Sequence, residues 1–262
     1  MPDTPAPPVS PTTLGVSLKL YLDIAATAEW AQAVAKIAHE HPGVQAGLVR
    51  IFVLPSLPAV PLAQQVLDGS GVQVGAQDLH WEDRGAFTGA VSGADLYEVG
   101  CRLVEVGHAE RREIFGEDEV TVRAKLAAAV RNNLVPVLCV GEPDHVSPRV
   151  AAEFCVNQLD SALAGVADHL VETELIVAYE PGWAIGGSEP AEPDHVRYVA
   201  AALRGYLGEQ TWLATSAVIY GGSAQRGLLT ALGPSVDGLF LGRFAHDPAE
   251  FAAIVDEASR LS

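Results

Sequence analysis

Short apolar runs alternate with longer segments whose apolar residues recur at helical spacing along most of this chain. LGVSLKL (14–20), AGLVRIFVLP (46–55), GVQVGAQDL (71–79) and CRLVEVGH (101–108) predict four strands. LVPVLCVGE (134–142), LIVAYEP (175–181), AVIYGG (217–222) and VDGLFLGR (236–243) predict four more. Between them, TAEWAQAVAKIAHEH and VTVRAKLAAAVRNN read as amphipathic helices, the second closing on an Asn-Asn stop. Strands alternating with helices imply parallel pairing through helical crossovers. About eight such units in roughly 250 residues predict an α/β fold, a single closed (β/α)8 barrel spanning 14–262. An open doubly wound sheet is the competing architecture, and it announces itself by a glycine-rich turn after the first strand. Here that strand runs instead into Lys19-Leu20-Tyr21-Leu22-Asp23.

Composition narrows the picture. With 262 residues and 49% hydrophobic content, the chain is sufficient for one large core. A net charge of −17 repels nucleic-acid backbones, and no basic patch denser than Arg111-Arg112 offsets it. An anionic substrate must therefore be drawn in by local groups. Cys101, Cys139 and Cys155 have no metal-ligand spacing and read as reduced thiols, which together with the acidic balance suits a cytoplasmic protein. MPDTPAPPVSPTT (1–13) lacks the features of a signal peptide and is expected to be a disordered proline-rich leader. No apolar run approaches the ~20 residues of a membrane span.

In a barrel of this kind, chemistry sits at the C-terminal ends of the strands. Lys19, His108 and Glu180 fall at three of those ends. Each alone has an ordinary explanation: a solvated tether, a helix cap, a rim acid. Together, a cation, an imidazole and a carboxylate are the parts needed for proton transfer at carbon. The segment after Glu180, with Pro181-Gly182-Trp183 as hinge and Ala184-Ile185-Gly186 as tip, reads as a lid. A metal-dependent aldolase or epimerase is a competing reading, though the eight histidines cluster only weakly, at His80 near Asp78 and at His108. A non-catalytic barrel is another.

GAFTG (85–89), HAERR (108–112), VLCVGE (137–142), AYEPGWAIGG (178–187) and YGGS (220–223) resemble triosephosphate isomerases in order and spacing, over about 14–258. The resemblance implies aldose–ketose isomerisation through an enediolate, with no cofactor and no metal. It implies Glu180 as the base, His108 as the electrophile and Lys19 as the cation, with Glu110 holding the lysine. A glutamate base beside a neutral histidine is the arrangement for which that family is itself the standard example. Gly186, Gly221, Gly222, Ser223 and Gly242 are expected to receive a phosphate through N–H groups and a hydroxyl, after strands 7 and 8 as is common in this fold. Thr88, at the tip of GAFTG, matches a loop that reaches a neighbouring subunit, which implies a homodimer.

The chain departs from the family pattern in places. Ser17 stands where an asparagine is usual, Ala109 replaces a serine, and Ala90 replaces a glutamate. Gly187-Ser188-Glu189 alters the lid tip. LGRFAHD (241–247) puts Arg243 where two glycines bring backbone to phosphate. Arg243 is accordingly expected to bear on substrate choice. The first expectation is a triose phosphate substrate (dihydroxyacetone phosphate and glyceraldehyde 3-phosphate); the second is an erythrulose phosphate, with the same proton chemistry.

Overall fold

The computed structural model describes residues 10–164, 166, 173–210, 213 and 215–262. The first half runs β1 (Thr12–Ser17), α1 (Ile24–Glu40), α2 (Pro42–Gln45), β2 (Val49–Leu54), α3 (Val60–Leu67), β3 (Gln73–Ala76), α4 (Gly93–Glu98), β4 (Leu103–Val106), α5 (Ala109–Phe115) and α6 (Glu119–Arg131). The second half runs β5 (Val135–Val140), α7 (Pro148–Leu163), β6 (Glu174–Tyr179), α8 (Pro193–Glu209), β7 (Thr215–Tyr220), α9 (Leu228–Leu232), β8 (Gly238–Leu241) and α10 (Pro248–Leu261). All strand pairs are parallel, and β8 returns to pair with β1, so the sheet closes into the expected barrel. β1 begins at Thr12, inside the segment expected to be leader; positions 1–9 of that leader lie outside the described residues.

Closure buries both faces of each strand, which is why the strands read as continuous apolar runs. Phe52, Leu54, Leu103, Val137, Cys139, Ile176, Ala178, Ile219 and Phe240 fill the barrel interior. Gly15 makes room for one of them: a Cβ there would stand 2.1 Å from Cζ of Phe52. The outward faces pack under helices whose apolar stripes match, as α1 does with Trp30, Ala31, Val34 and Ala38. Asp23 and Asp118 cap α1 and α6 through their carboxylates, satisfying N–H groups that the helices leave open. α6 stops at Asn132, and Asn133 takes the left-handed conformation (φ 56°) that asparagine tolerates.

Every predicted strand is present, but several end earlier than the apolar runs suggest. Lys19, His108 and Glu180 lie just beyond β1, β4 and β6 and not within them. Left-handed backbone breaks the ladder at two of these exits, at Lys19 (φ 48°) and Gly107 (φ 73°). No helix among the described residues is long and apolar enough to cross a membrane.

Candidate active site

Lys19 holds a conformation that a β-carbon disfavours, so something must fix it. Gln77 does so, its side-chain amide donating to the carbonyls of Lys19 (3.1 Å) and Leu54 (2.9 Å). The ammonium then meets Glu110 Oε1 at 2.7 Å. Burial works against its charge, but that bond and the carboxylates of Glu180, Glu110 and Glu105 outweigh burial and raise its pKa. The lysine stays a cation.

His108 is the N-cap of α5, and its Nδ1 accepts the Glu110 N–H at 3.1 Å. A ring nitrogen that accepts a hydrogen bond carries no proton, so the imidazole is neutral with its hydrogen on Nε2. Arg112 fixes the preceding residue by donating from Nε to the Gly107 carbonyl at 2.8 Å. Its partner in HAERR, Arg111, pairs with Glu117 and Asp78. The two arginines are therefore structural supports of the histidine turn.

Glu180 leaves β6 with its N–H bonded to Val140 O at 2.8 Å. Its side chain is buried, and Oε2 has no hydrogen-bond partner among the described residues. That oxygen lies 3.5 Å from His108 Nε2. Gly221 makes the placement possible, because a Cβ there would stand 2.5 Å from Glu180 Oε1. The Gly221 N–H is committed to Tyr179 O at 2.9 Å, so this glycine supplies space beside the carboxylate.

The lid lies down over the site. It opens with a 3-10 turn, Gly182–Ala184, anchored where Trp183 Nε1 donates to Glu142 Oε1 at 2.9 Å. Tyr179 and His195 meet the same carboxylate. Ser223 Oγ lies within bonding distance of the lid carbonyls of Ala184 (2.9 Å) and Gly187 (2.8 Å). Arg243 Nη2 donates to Gly186 O at 3.0 Å. An outward ion pair for Arg243 is not formed among the described residues; the side chain reaches across to the lid.

These groups enclose a cavity of about 160 Å³. Its walls include Ser17, Lys19, His108, Glu110, Glu180, Gly186, Gly222, Ser223, Gly242 and Arg243. The volume is well below the roughly 300–1,000 Å³ of sites for drug-sized ligands. It suits a small metabolite. Lys19 and Arg243 place two cations on its walls, beside the carboxylates of Glu110 and Glu180, in a chain of net charge −17. Thr88 lies apart from these walls, exposed on the 81–90 segment.

The sequence reading missed Glu105. This carboxylate sits on β4, shares the inward face with Leu103, and is buried. Ser17 Oγ donates to its Oε2 at 3.3 Å, Cys139 Sγ is 3.9 Å from Oε1, and His108 Nε2 is 3.9 Å from the same oxygen. Burial, reinforced by the charge of Glu180, pushes it up to about 7 against the opposing pull of His108, Lys19 and Ser17. The signal was visible: LVEV is an apolar strand interrupted by one acid. Burial, with the charges of Glu180 and Glu105, likewise drives the Cys139 thiol up, so this cysteine is a neutral filler. The ligand atoms of Glu105, His108 and Glu180 all lie within 4.8 Å of one another, a spacing a metal ion could also use.

Chemically, the site offers a carboxylate with one oxygen free of hydrogen bonds among the described residues, a neutral imidazole donor and a fixed cation around one small volume. Comparison with known proteins agrees with that inventory. The family model described as triosephosphate isomerase matches residues 12–258. The chain is 51% identical to an L-erythrulose-1-phosphate isomerase of Pectobacterium atrosepticum over 250 residues, 95% of this chain and 96% of that one. It is 43% identical to a triosephosphate isomerase of a Synechococcus strain, covering 79% of this chain and 80% of the relative. An L-erythrulose-1-phosphate isomerase of Rhizobium etli is 42% identical, with 75% of each chain covered.

Proposed function

Because the chain belongs to the triosephosphate isomerase family, we propose that it isomerises a four-carbon ketose phosphate of the L-erythrulose 1-phosphate kind by proton transfer through an enediolate. The observation that carries this reading is the 51% identity, over 95% of the chain, to an enzyme named for that substrate. The triose phosphate reading, set first by the sequence motifs, becomes second.

The chemistry follows from the groups present. Glu180, with its free oxygen, removes a proton from the carbon beside the carbonyl. His108 Nε2–H stabilises the oxygen on which charge develops, and a fixed donor in a water-poor site lowers that barrier by several kcal/mol. Lys19 adds a positive field. Protonation at the neighbouring carbon then completes the shift. In L-erythrulose 1-phosphate, the carbonyl at C2 lies between the phosphate-bearing C1 and C3. It cannot move to C1 without expelling phosphate, so the proton leaves C3 and returns to C2, and the carbonyl moves to C3. On dihydroxyacetone phosphate the same step gives an aldose. Gly186, Gly222, Ser223, Gly242, Arg243 and Lys19 hold the phosphate, and the lid keeps water out, which also protects an enediolate from losing phosphate.

Two finer features belong to the same reading. A groove of about 990 Å³ beside the site runs from Lys19, Glu105 and His108 to Trp81, Ile114 and Phe115. It gives a partner's Thr88 loop a place to insert, which supports a homodimer. A fully active monomer in sedimentation at low concentration would end that idea. The second feature is independence from metal, despite the ligand-like spacing at Glu105, His108 and Glu180. Turnover that survives exhaustive chelation supports it; turnover lost to a chelator and restored by a divalent ion transfers the chemistry to a metal.

The deciding experiment is kcat/KM for L-erythrulose 1-phosphate against that for dihydroxyacetone phosphate. A higher value for the tetrulose is expected. A preference for the triose by tenfold or more (roughly 1.4 kcal/mol) would return the enzyme to the triose reading.

A further inference from the structure

We propose that Glu105, together with Ser17, forms a subsite for the terminal hydroxymethyl group of a four-carbon sugar phosphate, and that this pair sets the substrate length the barrel accepts. The proposal rests on the tetrulose reading above and names the residues that would enforce it.

Proton transfer does not account for Glu105. Glu180 supplies the base and His108 the donor. At 3.9 Å from His108 Nε2, Glu105 is too distant to orient the ring by a hydrogen bond. Nor does the core account for it. Leu103 shares its face of the strand, Val137 pairs with it in register and Cys139 touches it, and an apolar residue would complete that layer without cost.

A buried carboxyl group needs its oxygens satisfied. This one receives a single hydroxyl donor, Ser17 Oγ, at 3.3 Å, beyond the usual range for an O–H···O bond. Its other oxygen has only a thiol and His108 Nε2 near it, each at 3.9 Å. A carboxylate has about four acceptor positions, so Glu105 has capacity to spare for another hydroxyl. Even protonated, as its raised pKa favours, it can still donate to and accept from an alcohol.

Its place fits that use. The substrate cavity and the neighbouring groove share Ser17, Lys19, Tyr21, His108 and Glu110 as walls, and Glu105 lines the groove beside them, bonded to the shared Ser17. With the phosphate held by the lid, Ser223 and Arg243, the reacting carbon and its oxygen lie beside Glu180 Oε2 and His108 Nε2. Its remaining substituent then points to the barrel floor, where Ser17 and Glu105 stand. In a triose that substituent is hydrogen. In a tetrulose it is CH2OH, whose hydroxyl can bond to the carboxyl group. A site built to bond a substrate hydroxyl rejects the analogue lacking it, because its own polar group is then left unpaired.

The test uses Glu105→Val and the near-isosteric Glu105→Gln in the full-length enzyme. Steady-state kcat/KM is measured on L-erythrulose 1-phosphate and on dihydroxyacetone phosphate, with thermal melts and the affinity for 2-phosphoglycolate, which has no hydroxymethyl group, as folding controls. Glu105→Val is expected to shift the tetrulose-to-triose ratio of kcat/KM toward the triose by about 30- to 100-fold, in the range that loss of one buried hydroxyl partner produces. Glu105→Gln is expected to shift it less, since an amide can still bond the hydroxyl. Equal losses on both substrates, or a ratio unmoved in Glu105→Val, overturn the subsite while leaving the tetrulose reading intact. A wild-type enzyme inactive on tetrulose phosphates overturns that reading itself, and the subsite with it.

Discussion

Nε2 of His108 lies 3.5 Å from Oε2 of Glu180, and that oxygen has no hydrogen-bond partner among the described residues. The two atoms belong to residues at the exits of β4 and β6, brought together only by barrel closure. The gap is too wide for a strong hydrogen bond. The carboxylate is therefore not tied up by the imidazole, and a substrate carbon and its oxygen can be held beside both. His108 owes its tautomer to the Glu110 N–H, and Glu180 owes its position to the missing side chain at Gly221.

Shortening the base tests the first half of that relationship. Glu180→Asp withdraws the carboxylate by about 1 Å, and a misplacement of that size costs on the order of 100-fold. The loss is expected in kcat, with KM and the melting temperature close to wild type. A variant within threefold of wild-type kcat would show that some other group takes the proton.

Crowding the base without altering it tests the second half. Gly221 is not in left-handed backbone, so alanine is conformationally acceptable there. Its Cβ would nonetheless lie 2.5 Å from Oε1 and 2.6 Å from Cγ of Glu180. Gly221→Ala is expected to lower kcat at least tenfold, through displacement of the carboxylate, while the affinity for inorganic phosphate changes little. Loss of phosphate affinity with kcat retained would make Gly221 an anion ligand, as its motif first implied.

The contrast between Gly221 and Glu105 shows what was legible in the sequence. Barrel, strand count and the trio Lys19, His108 and Glu180 could all be read, because apolar runs record burial and each of these polar residues interrupts or ends one. The role of Gly221 could not, since a glycine's lack of side chain matters only when another strand's carboxylate lies against it. Glu105 was visible as an acid within LVEV, but whether it faced helix or barrel interior depended on register. Strand ends were overrun because apolar residues continue into the turns that carry the chemistry. Arg243 was legible as a departure, yet its contact with the Gly186 carbonyl joins two loops far apart in sequence.

That contact changes what is expected of Arg243. Its guanidinium bonds the lid and lines the cavity alongside Gly186, Ser223 and Gly242, the groups assigned to the phosphate. Triose and tetrulose phosphates share that end. Arg243→Gly is thus expected to raise KM for both by a similar factor, about tenfold for one lost charge-assisted bond (~1.4 kcal/mol), with a smaller effect on kcat. A KM change confined to one substrate would restore Arg243 as the selectivity element that its position in the sequence suggested.

Glu105 also makes a prediction that involves no substrate. Ser17 and Lys19 face it from β1 and the turn beyond, His108 from the end of its own strand, Cys139 from β5 and Glu180 from the exit of β6. Burial dominates these influences and lifts its pKa from 4.5 to about 7 in the folded protein. The folded state therefore binds this proton more tightly than the unfolded state. For a carboxyl group shifted upward, the stabilising contribution is complete below the unfolded value, declines as pH rises from about 4.5 to about 7, and is absent above. Each pKa unit corresponds to about 1.4 kcal/mol, so the wild type is expected to lose on the order of 2 kcal/mol relative to Glu105→Gln between pH 5 and pH 8. Glutamine has nothing to titrate, and other ionisations largely cancel in the difference. Urea unfolding of both proteins at the two pH values measures it. A difference that is flat with pH would mean that Glu105 titrates like an exposed acid, and a difference of opposite sign would mean that Lys19 and Ser17 hold it ionised despite its burial.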